Sequence, residues 1–214
     1  MSTRSTVIVS LILIAAGLAL SLAVYGNLPA AMASHWNAND QVDGRIARFW
    51  GAFLMPLLGL ALLGLFMLIP SIDPLKANIA RFRGFFNLFI LVMMAFLLYI
   101  HVLTILWNLG AHGFRMSAAL LPAVGLLFVL AGLMMRRAKR NFFIGIRTPW
   151  TLSSDRVWDK THRIGGALFV ASGVLAMLGA FFPGPVAYWL VLAPVLASSI
   201  FAVVYSYVIW RREQ

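Results

Sequence analysis

Residues 84–107 read GFFNLFILVMMAFLLYIHVLTILW and contain no Asp, Glu, Lys or Arg. A helix that crosses a bilayer needs about 20 consecutive, mainly apolar residues. Because hydrocarbon offers the backbone no hydrogen-bond partners, a segment of this kind must be α-helical. Five other segments have a similar composition, so six spanning helices are predicted: 6–26, 49–70, 84–107, 116–135, 163–182 and 186–210. The predicted fold class is all-α, a polytopic membrane helical bundle with six transmembrane helices in a single membrane domain, residues 1–214.

The composition of the whole chain also indicates a membrane protein. Of its 214 residues, 62% are hydrophobic and 11% are charged, whereas about a quarter of the residues in soluble domains are charged. Cysteine is absent, which excludes disulfides, thiolate metal ligands and cysteine nucleophiles. The predicted spans contain no carboxylate. A proton-driven transporter usually needs one, so active transport is disfavoured.

Basic residues are distributed unequally between the two ends of the predicted bundle. One end carries fourteen Lys and Arg residues, and the other carries three, Arg45, Arg48 and Arg115. Cytoplasmic loops are enriched in Lys and Arg, which predicts a multi-pass protein of the cell membrane with both termini in the cytoplasm. The net charge of +11 is then explained by contact with anionic membrane lipids. Direct nucleic acid binding is not predicted, because the charge is not gathered on one soluble element.

Residues 27–48 connect the first two spans and are predicted to form an extracellular cap loop. Pro29 is expected to end the first helix, because a residue before proline avoids helical geometry, and the Asn, Asp and Gly residues that follow favour turns. His35, Asp40 and Asp43 could bind a metal ion, but their spacing fits no strong metal signature. A folded cap without a metal ion or other cofactor is favoured. The candidate cap residues are Pro29, His35, Trp36, Asn37, Asp40, Asp43 and Gly44.

The longest polar interruption is the predicted cytoplasmic signature loop, residues 136–163, which reads RRAKRNFFIGIRTPWTLSSDRVWDKTHR. The apolar residues between positions 142 and 146 are expected to fold back against the bundle, and Gly145 supplies the backbone freedom for that turn. Ser153 or Ser154 is expected to cap a helix. Asp155 would then lie in the first turn, where an acidic residue is favoured, and this helix should continue into the fifth span.

A stripe of polar and aromatic residues is predicted on that helix, since its members recur at spacings of three and four: Asp155, Trp158, Asp159, His162 and Arg163. Two roles remain open for the stripe. It could form an ion-pair lock with Arg140 and Arg147, or it could bind a phosphate or a peptide, because a helix N-terminus beside two arginines favours anions. The candidate residues for ligand or partner binding are Arg140, Asn141, Gly145, Arg147, Thr148, Pro149, Trp150, Trp158, Asp159, His162 and Arg163.

Two groups of motifs resemble a known family of multi-pass membrane proteins. Leu28-Pro29, His35-Trp36-Asn37 and Asp43-Gly44 resemble the DUF1648 module. The run 141–152, together with Val157-Trp158 and Thr161-His162, is similar to the C-terminal signature of the SdpI family. This resemblance implies immunity against a secreted toxic peptide and signalling in which a cytoplasmic transcriptional repressor is held at the membrane. The implied partners are membrane lipids, the peptide toxin and the repressor protein.

Two alternative functions remain open at this point. A membrane-embedded enzyme could use Asp159 and His162 as an acid–base pair, although the chain has no HExxH, GxSxG or P-loop motif. An enzyme is therefore the less favoured class, and no catalytic residue is predicted. A phosphate-lipid or anion binding or transport protein could instead use a group of basic side chains in the signature loop: Arg140, Arg147, Lys160 and Arg163.

Overall fold

Six long helices dominate the computed structural model, which describes residues 1–213. In chain order the elements are α1 Thr3–Val24, β1 Ala31–Trp36, β2 Val42–Ala47, α2 Arg48–Ile72, α3 Lys76–Ala80, α4 Arg83–Asn108, α5 Met116–Met135, α6 Pro149–Ser153, α7 Asp155–Gly179 and α8 Gly184–Arg211. Helices α1, α2, α4, α5, α7 and α8 are long and apolar enough to cross a membrane. The predicted six-span helical bundle is therefore confirmed, and the protein is a multi-pass membrane protein.

The helix boundaries follow the local signals in the sequence. After α1 the chain forms a short 3₁₀ turn and then becomes extended at Leu28 (ψ 143°), as predicted for a residue that precedes proline. Helix α7 begins with Asp155, because the Ser154 hydroxyl accepts a hydrogen bond from the N–H of Val157 at 3.3 Å. The predicted capped helix and its continuation into the fifth span are thus confirmed.

The helices pack as two groups of three. Helices α1, α2 and α4 contact one another, and α7 packs between α5 and α8, while α4 and α5 join the groups. The closest approach is between α5 and α7, where glycines face each other. A Cβ atom on Gly173 would lie 2.5 Å from the carbonyl oxygen of Gly125, and one on Gly166 would lie 2.5 Å from that of Gly132. Small residues allow such close contact between membrane helices, where packing replaces the hydrophobic effect as the driving force.

One end of the bundle carries a β-hairpin that the sequence prediction missed. Strands β1 and β2 pair antiparallel, from Ala31 opposite Ala47 to Trp36 opposite Val42, with irregular pairing around His35. Asp40 adopts a positive φ of 59° in the turn, which agrees with the turn residues noted there. The strands escaped prediction because a two-stranded hairpin is marginal by itself, and this one is stabilised by helices distant in sequence.

Aromatic side chains mark the membrane boundary at the hairpin end. Six large aromatic residues around this end are exposed: Phe49, Trp50, Phe181, Phe182, Tyr188 and Trp189. Aromatic residues are enriched where a membrane meets water. At the opposite end, the core formed by α4 extends into the signature loop, because Phe86 and Ile90 belong to the same buried cluster as Ile144 and Trp158. The signature loop is therefore a packed part of the bundle.

Candidate functional site

Two polar side chains fix the hairpin to the ends of α4 and α5. Asn108, the last residue of α4, pairs with the backbone of Ala33: its Oδ1 accepts the N–H at 2.7 Å and its Nδ2 donates to the carbonyl at 3.0 Å. In the hairpin turn, the Asp40 carboxylate accepts hydrogen bonds from the backbone N–H and the hydroxyl of Ser117, at 2.7 and 2.6 Å. The first N–H groups of a helix have no partner within the helix, so Asp40 caps α5 from outside.

The proposed ligands of a cap metal ion do not form one cluster. The Nδ1 atom of His35 lies 2.5 Å from a carboxylate oxygen of Asp43, in an exposed pair, while Asp40 binds Ser117. Within residues 1–213, no group of three or more His, Asp or Glu side chains could hold a metal ion. His35, Asp40 and Asp43 are therefore not all brought together in the described structure. Gly44 packs against the pair of His35 and Asp43, since a Cβ on Gly44 would meet the His35 side chain at 2.8 Å. Pro29 lies near Arg48, whose Nε donates to the Pro29 carbonyl at 3.5 Å.

A cavity of about 360 Å³ lies between the hairpin and the helices beside it. Ligand pockets typically have volumes of about 300–1,000 Å³ and mainly apolar walls with a few polar groups. Apolar residues from the hairpin, α2, α4 and α5 line this one: Trp36, Trp50, Leu54, Ile100, Leu121 and Val124. The polar side chains of His35, Asn37 and Asp40 also line it. Four candidate cap residues thus share a cavity with membrane-spanning helices, which the sequence did not indicate.

Trp36, which lines the cavity, carries a hydrogen-bond donor without a partner in the described structure. The indole Nε1 of Trp36 is buried, and no acceptor bonds it in the part of the chain that the structure describes. The Trp36 ring is held edge-on against Trp107, with centroids 5.6 Å apart. Buried donors are rarely left without a partner, and leaving this one unpaired carries an energetic penalty.

Replacement of Asp40 by alanine is expected to release the hairpin from α5. The variant loses two hydrogen bonds to a charged group and places alanine at a positive φ, which together cost about 2–4 kcal/mol. Faster amide exchange throughout 31–47, with unchanged exchange in α7, would show this local release. Asp43→Ala removes an exposed carboxylate of the same hairpin and serves as the control. Equal exchange in the two variants would contradict the capping role.

The signature loop is folded around one buried amide. Asn141 is buried, and its Oδ1 accepts the N–H groups of Phe143 and Ile144 at 2.9 and 2.6 Å, while its Nδ2 donates to the carbonyls of Lys139 and Ile144. The loop then turns at Gly145, which has a φ of +108°. The predicted need for glycine is therefore confirmed. The predicted folding back holds for Ile144, which is buried, but not for Phe142, which is exposed.

The turn at Gly145 is closed by His162 and Trp158 of α7. The N–H of Ile146 donates to His162 Nε2 at 2.9 Å, and Nδ1 lies 2.9 Å from the carbonyl of Trp158. An Nε2 atom that accepts a hydrogen bond carries no proton, so the neutral imidazole is protonated at Nδ1. The indole of Trp158 stacks on the imidazole at 3.8 Å between centroids and donates to the carbonyl of Ala138 at 2.9 Å. Both rings are fully buried.

The predicted stripe on α7 therefore divides into a buried part and an exposed part. Asp155 contacts the Nε atom of Arg140 at 2.8 Å, and Asp159 contacts Lys139 at 3.1 Å, both on the outer side. The lock between Arg140 and Asp155 is confirmed. The expected role of Arg147 in that lock is wrong, because its guanidinium donates to the carbonyl of Phe142 at 2.8 Å. Asp and Arg side chains remain at the surface because burying a charge without full compensation is costly.

Two of the four remaining candidate residues, Thr148 and Trp150, attach the loop to α8. Thr148 caps α6 through reciprocal hydrogen bonds with Thr151, and Pro149 occupies the first turn. The Thr148 hydroxyl also lies 3.1 Å from that of Ser206, while the Trp150 ring packs on Tyr207 with centroids 5.0 Å apart. Arg163 is exposed. These contacts show a positioning role for Thr148 and Trp150.

Two residues that the sequence reading missed hold the signature loop against the connection between α2 and α4. Asp73 is buried, and its carboxylate accepts the N–H of Phe142 at 2.9 Å. Asn78 donates from Nδ2 to the carbonyl of Arg140 at 2.8 Å. The signal for Asp73 was available, because it is the one carboxylate between the second and third predicted spans.

The structure thus defines a polytopic helical membrane protein with a capped cavity at one end and a folded, basic loop at the other. Residues 137–206 match the SdpI/YfhL protein family, and residues 12–60 match a domain of unknown function, DUF1648. The chain is also similar to the Immunity protein SdpI of Bacillus subtilis (strain 168), with 24% identity over 205 residues that cover 96% of each chain. No solved structure matches the chain. The resemblance to the SdpI family that the sequence motifs indicated is therefore confirmed.

Proposed function

We propose that this protein is a membrane immunity and signal-transduction protein that protects its cell from a secreted toxic peptide. The observation that carries the proposal is the similarity to an immunity protein over nearly the whole length of both chains. That match spans both the cap and the signature loop, so each of these two regions is assigned a function in the proposal. Under this proposal the chain works without a cofactor, and the cell membrane is its location with both termini in the cytoplasm.

The cavity beside the hairpin is the proposed contact site for the peptide. A toxic peptide that reaches a membrane from outside arrives at the boundary between lipid and water, where Trp50 is exposed and also lines the cavity. Apolar side chains of the peptide would bury against Leu54, Leu121 and Val124. Backbone groups of the peptide would form hydrogen bonds with the polar side chains of His35 and Asn37, which line the same cavity. The cavity offers both kinds of contact within a volume of about 360 Å³.

Helix α5 is the proposed connection between the cavity and the signature loop. Its first turn is capped by Asp40 of the hairpin, and its last residue, Met135, directly precedes the signature loop. Close packing of α5 on α7 through glycine pairs leaves little room for independent movement of either helix. A shift of the cap on peptide binding would therefore move both ends together. The exposed Phe142 and Arg147 supply the proposed surface for a cytoplasmic repressor protein.

The enzyme alternative receives less support than immunity. Acid–base chemistry by His162 requires a ring nitrogen that can reach a substrate. Both nitrogens of His162 are occupied by the backbone, at Ile146 and Trp158, and the side chain is buried. Asp159 instead pairs with Lys139. A catalytic role for Asp159 and His162 is therefore not proposed.

Filling the cavity is expected to abolish protection without unfolding the protein. In Val124→Trp, the added ring would occupy the space assigned to the peptide. We expect at least about a tenfold drop in the peptide concentration that cells survive, which corresponds to about 1.4 kcal/mol of lost binding. The measurement compares the survival of cells that express each variant at equal levels in the membrane.

Leu126→Trp is the matched control, because Leu126 lies on the same helix, is 44% exposed and is absent from the cavity wall. Cells with this variant should survive as cells with the original protein do. Full protection by Val124→Trp would contradict the assigned contact site. Failure of the unmodified protein to protect against any secreted peptide from neighbouring strains would contradict immunity itself.

A further inference from the structure

A basic cleft of about 660 Å³ lies where α5 ends beside the start of α7. Five cationic side chains and one carboxylate line it together with two apolar residues: Arg136, Arg137, Lys139, Lys160, Arg163, Asp159, Phe85 and Leu133. The carboxylate, Asp159, is paired with Lys139 at 3.1 Å. This basic cleft is separate from the buried His162 and from the cavity beside the hairpin.

Four cations in the basic cleft have no acidic partner in the described structure. Within residues 1–213, no carboxylate oxygen lies within 4.0 Å of the side chains of Arg136, Arg137, Lys160 or Arg163. Elsewhere in the same loop the chain does supply such partners, since Arg140 contacts Asp155 and Arg156 contacts Glu213. Like charges that line one cleft repel each other, so an anion from outside the chain would be stabilised there.

The helix packing explains how these cations come together. Gly132 and Gly166 bring α5 and α7 into backbone contact, and the side-chain stem of Arg136 lies over Gly166, with its Cγ 2.5 Å from where a Cβ would be. Arg163 precedes Gly166 by three residues on α7, and residues three apart lie on neighbouring positions of a helix surface. Arg137 is held in turn by the Phe85 ring, with its guanidinium carbon 5.5 Å from the ring centroid. The glycine contact thus places the ends of two helices close enough for their cations to share one ligand.

The apolar wall of the basic cleft favours a phospholipid over a free phosphate ion. Phe85 and Leu133 line the cleft and are 40% and 38% exposed, on two helices that are long and apolar enough to cross a membrane. A free anion such as phosphate would contact the cations but would leave the apolar side chains of Phe85 and Leu133 without a contact. A phospholipid has a phosphate group directly above two acyl chains, so it would contact both parts. Basic pockets between transmembrane helices are known to bind anionic lipid headgroups.

We propose that the basic cleft binds the phosphate headgroup of an anionic phospholipid from the adjacent leaflet, with an acyl chain along Phe85 and Leu133. Arg136 and Arg163 hold the phosphate, since guanidinium groups bind phosphate oxygens in pairs, and Lys160 adds a third charge. The proposal differs from the sequence-based alternative, because Arg140 and Arg147 are engaged within the loop. It does not depend on the immunity function.

The test measures binding of a fluorescent short-chain phosphatidylglycerol to the full-length protein in neutral detergent micelles. Removal of two cleft charges in Arg136→Gln/Arg163→Gln should raise the dissociation constant at least about tenfold. Arg211→Gln/Arg212→Gln removes two exposed charges near the same end of the bundle and should raise it less than about twofold. Phosphatidylcholine with the same chains should bind equally weakly to all three proteins, and equal thermal transitions would exclude unfolding as the cause.

Three results would overturn the lipid assignment. If Arg136→Gln/Arg163→Gln bound phosphatidylglycerol as tightly as the original protein, these two cations would not be part of the lipid site. Displacement of the lipid by inorganic phosphate at an equal concentration would assign the basic cleft to free anions. Displacement by a soluble polyglutamate peptide at a lower concentration than by unlabelled phosphatidylglycerol would assign it to an acidic protein surface.

Discussion

Replacement of Gly132 by leucine is expected to separate α5 from α7 and to destabilise the protein by more than about 3 kcal/mol. The position of Gly132 on α5 faces the backbone of α7 at Gly166 and the side chain of Val170. Overpacking of a well-packed core costs about 1–3 kcal/mol when neighbouring side chains can move. Here the nearest atom is a backbone carbonyl oxygen, which cannot move without shifting the whole helix, so the cost should exceed that range.

The glycine contact is reciprocal, which adds to the expected effect. A Cβ on Gly166 would meet the carbonyl oxygen of Gly132, and the same relation joins Gly125 and Gly173 two turns away. A leucine at one of these positions therefore opens the whole contact between the helices. The basic cleft depends on the same contact, so this variant should also lose selective lipid binding. Unfolding in mixed micelles of neutral detergent and increasing dodecyl sulfate measures the change in stability.

Gly64→Leu provides the control for this measurement. Gly64 lies within α2, and a Cβ there would meet no atom within 4 Å in the described structure. The substitution adds the same side chain and changes helix propensity in the same direction, but it fills open space at the lipid-facing surface. We expect it to leave stability unchanged or slightly raised. A loss of stability as large as that of Gly132→Leu would mean that the glycine contact is not the cause.

The spanning helices could be predicted from composition because a bilayer leaves the backbone few choices. An apolar segment such as 84–107 must satisfy its own hydrogen bonds, and a helix does so. Close packing at the start of the fifth span occurs at Gly166, where a Cβ atom would lie 2.5 Å from the carbonyl oxygen of Gly132. Which helix would pack there could not be read from the sequence, since the partner Gly132 lies on another span that is equally apolar.

The cap and the signature loop were harder to predict because their partners are distant in sequence. Asn108 bonds Ala33 across 75 positions, and Asp40 bonds Ser117 across 77. Helical spacing correctly brought together the residues of the stripe on α7, but it did not divide them. Consecutive residues such as Trp158 and Asp159 lie about 100° apart around a helix, which is enough for one to be buried while the other meets solvent. Sequence alone did not reveal where the core boundary falls.

Replacement of Trp158 by alanine is expected to unfold the signature loop and to cost about 3–5 kcal/mol, the range measured for buried tryptophan and phenylalanine. Trp158 has no exposed surface. Its removal would leave a cavity beside His162, on which it stacks, and would leave the carbonyl of Ala138 without its donor. The turn at Gly145 should then open, because His162 would no longer be fixed to accept from Ile146. Amide exchange at residues 141–151 measures this opening directly.

Two further variants separate the causes of that loss. Trp158→Phe keeps an aromatic ring on His162 but removes the indole donor, so it should cost about 1–3 kcal/mol, the penalty for leaving one buried polar group unpaired. Trp189→Ala removes a 59% exposed tryptophan at the membrane boundary and should change exchange in the signature loop little. Amide exchange at residues 141–151 that is as slow in Trp158→Ala as in Trp189→Ala would contradict the central position assigned to Trp158. The signature loop would then be held by its contacts with Asp73 and Ser206 alone.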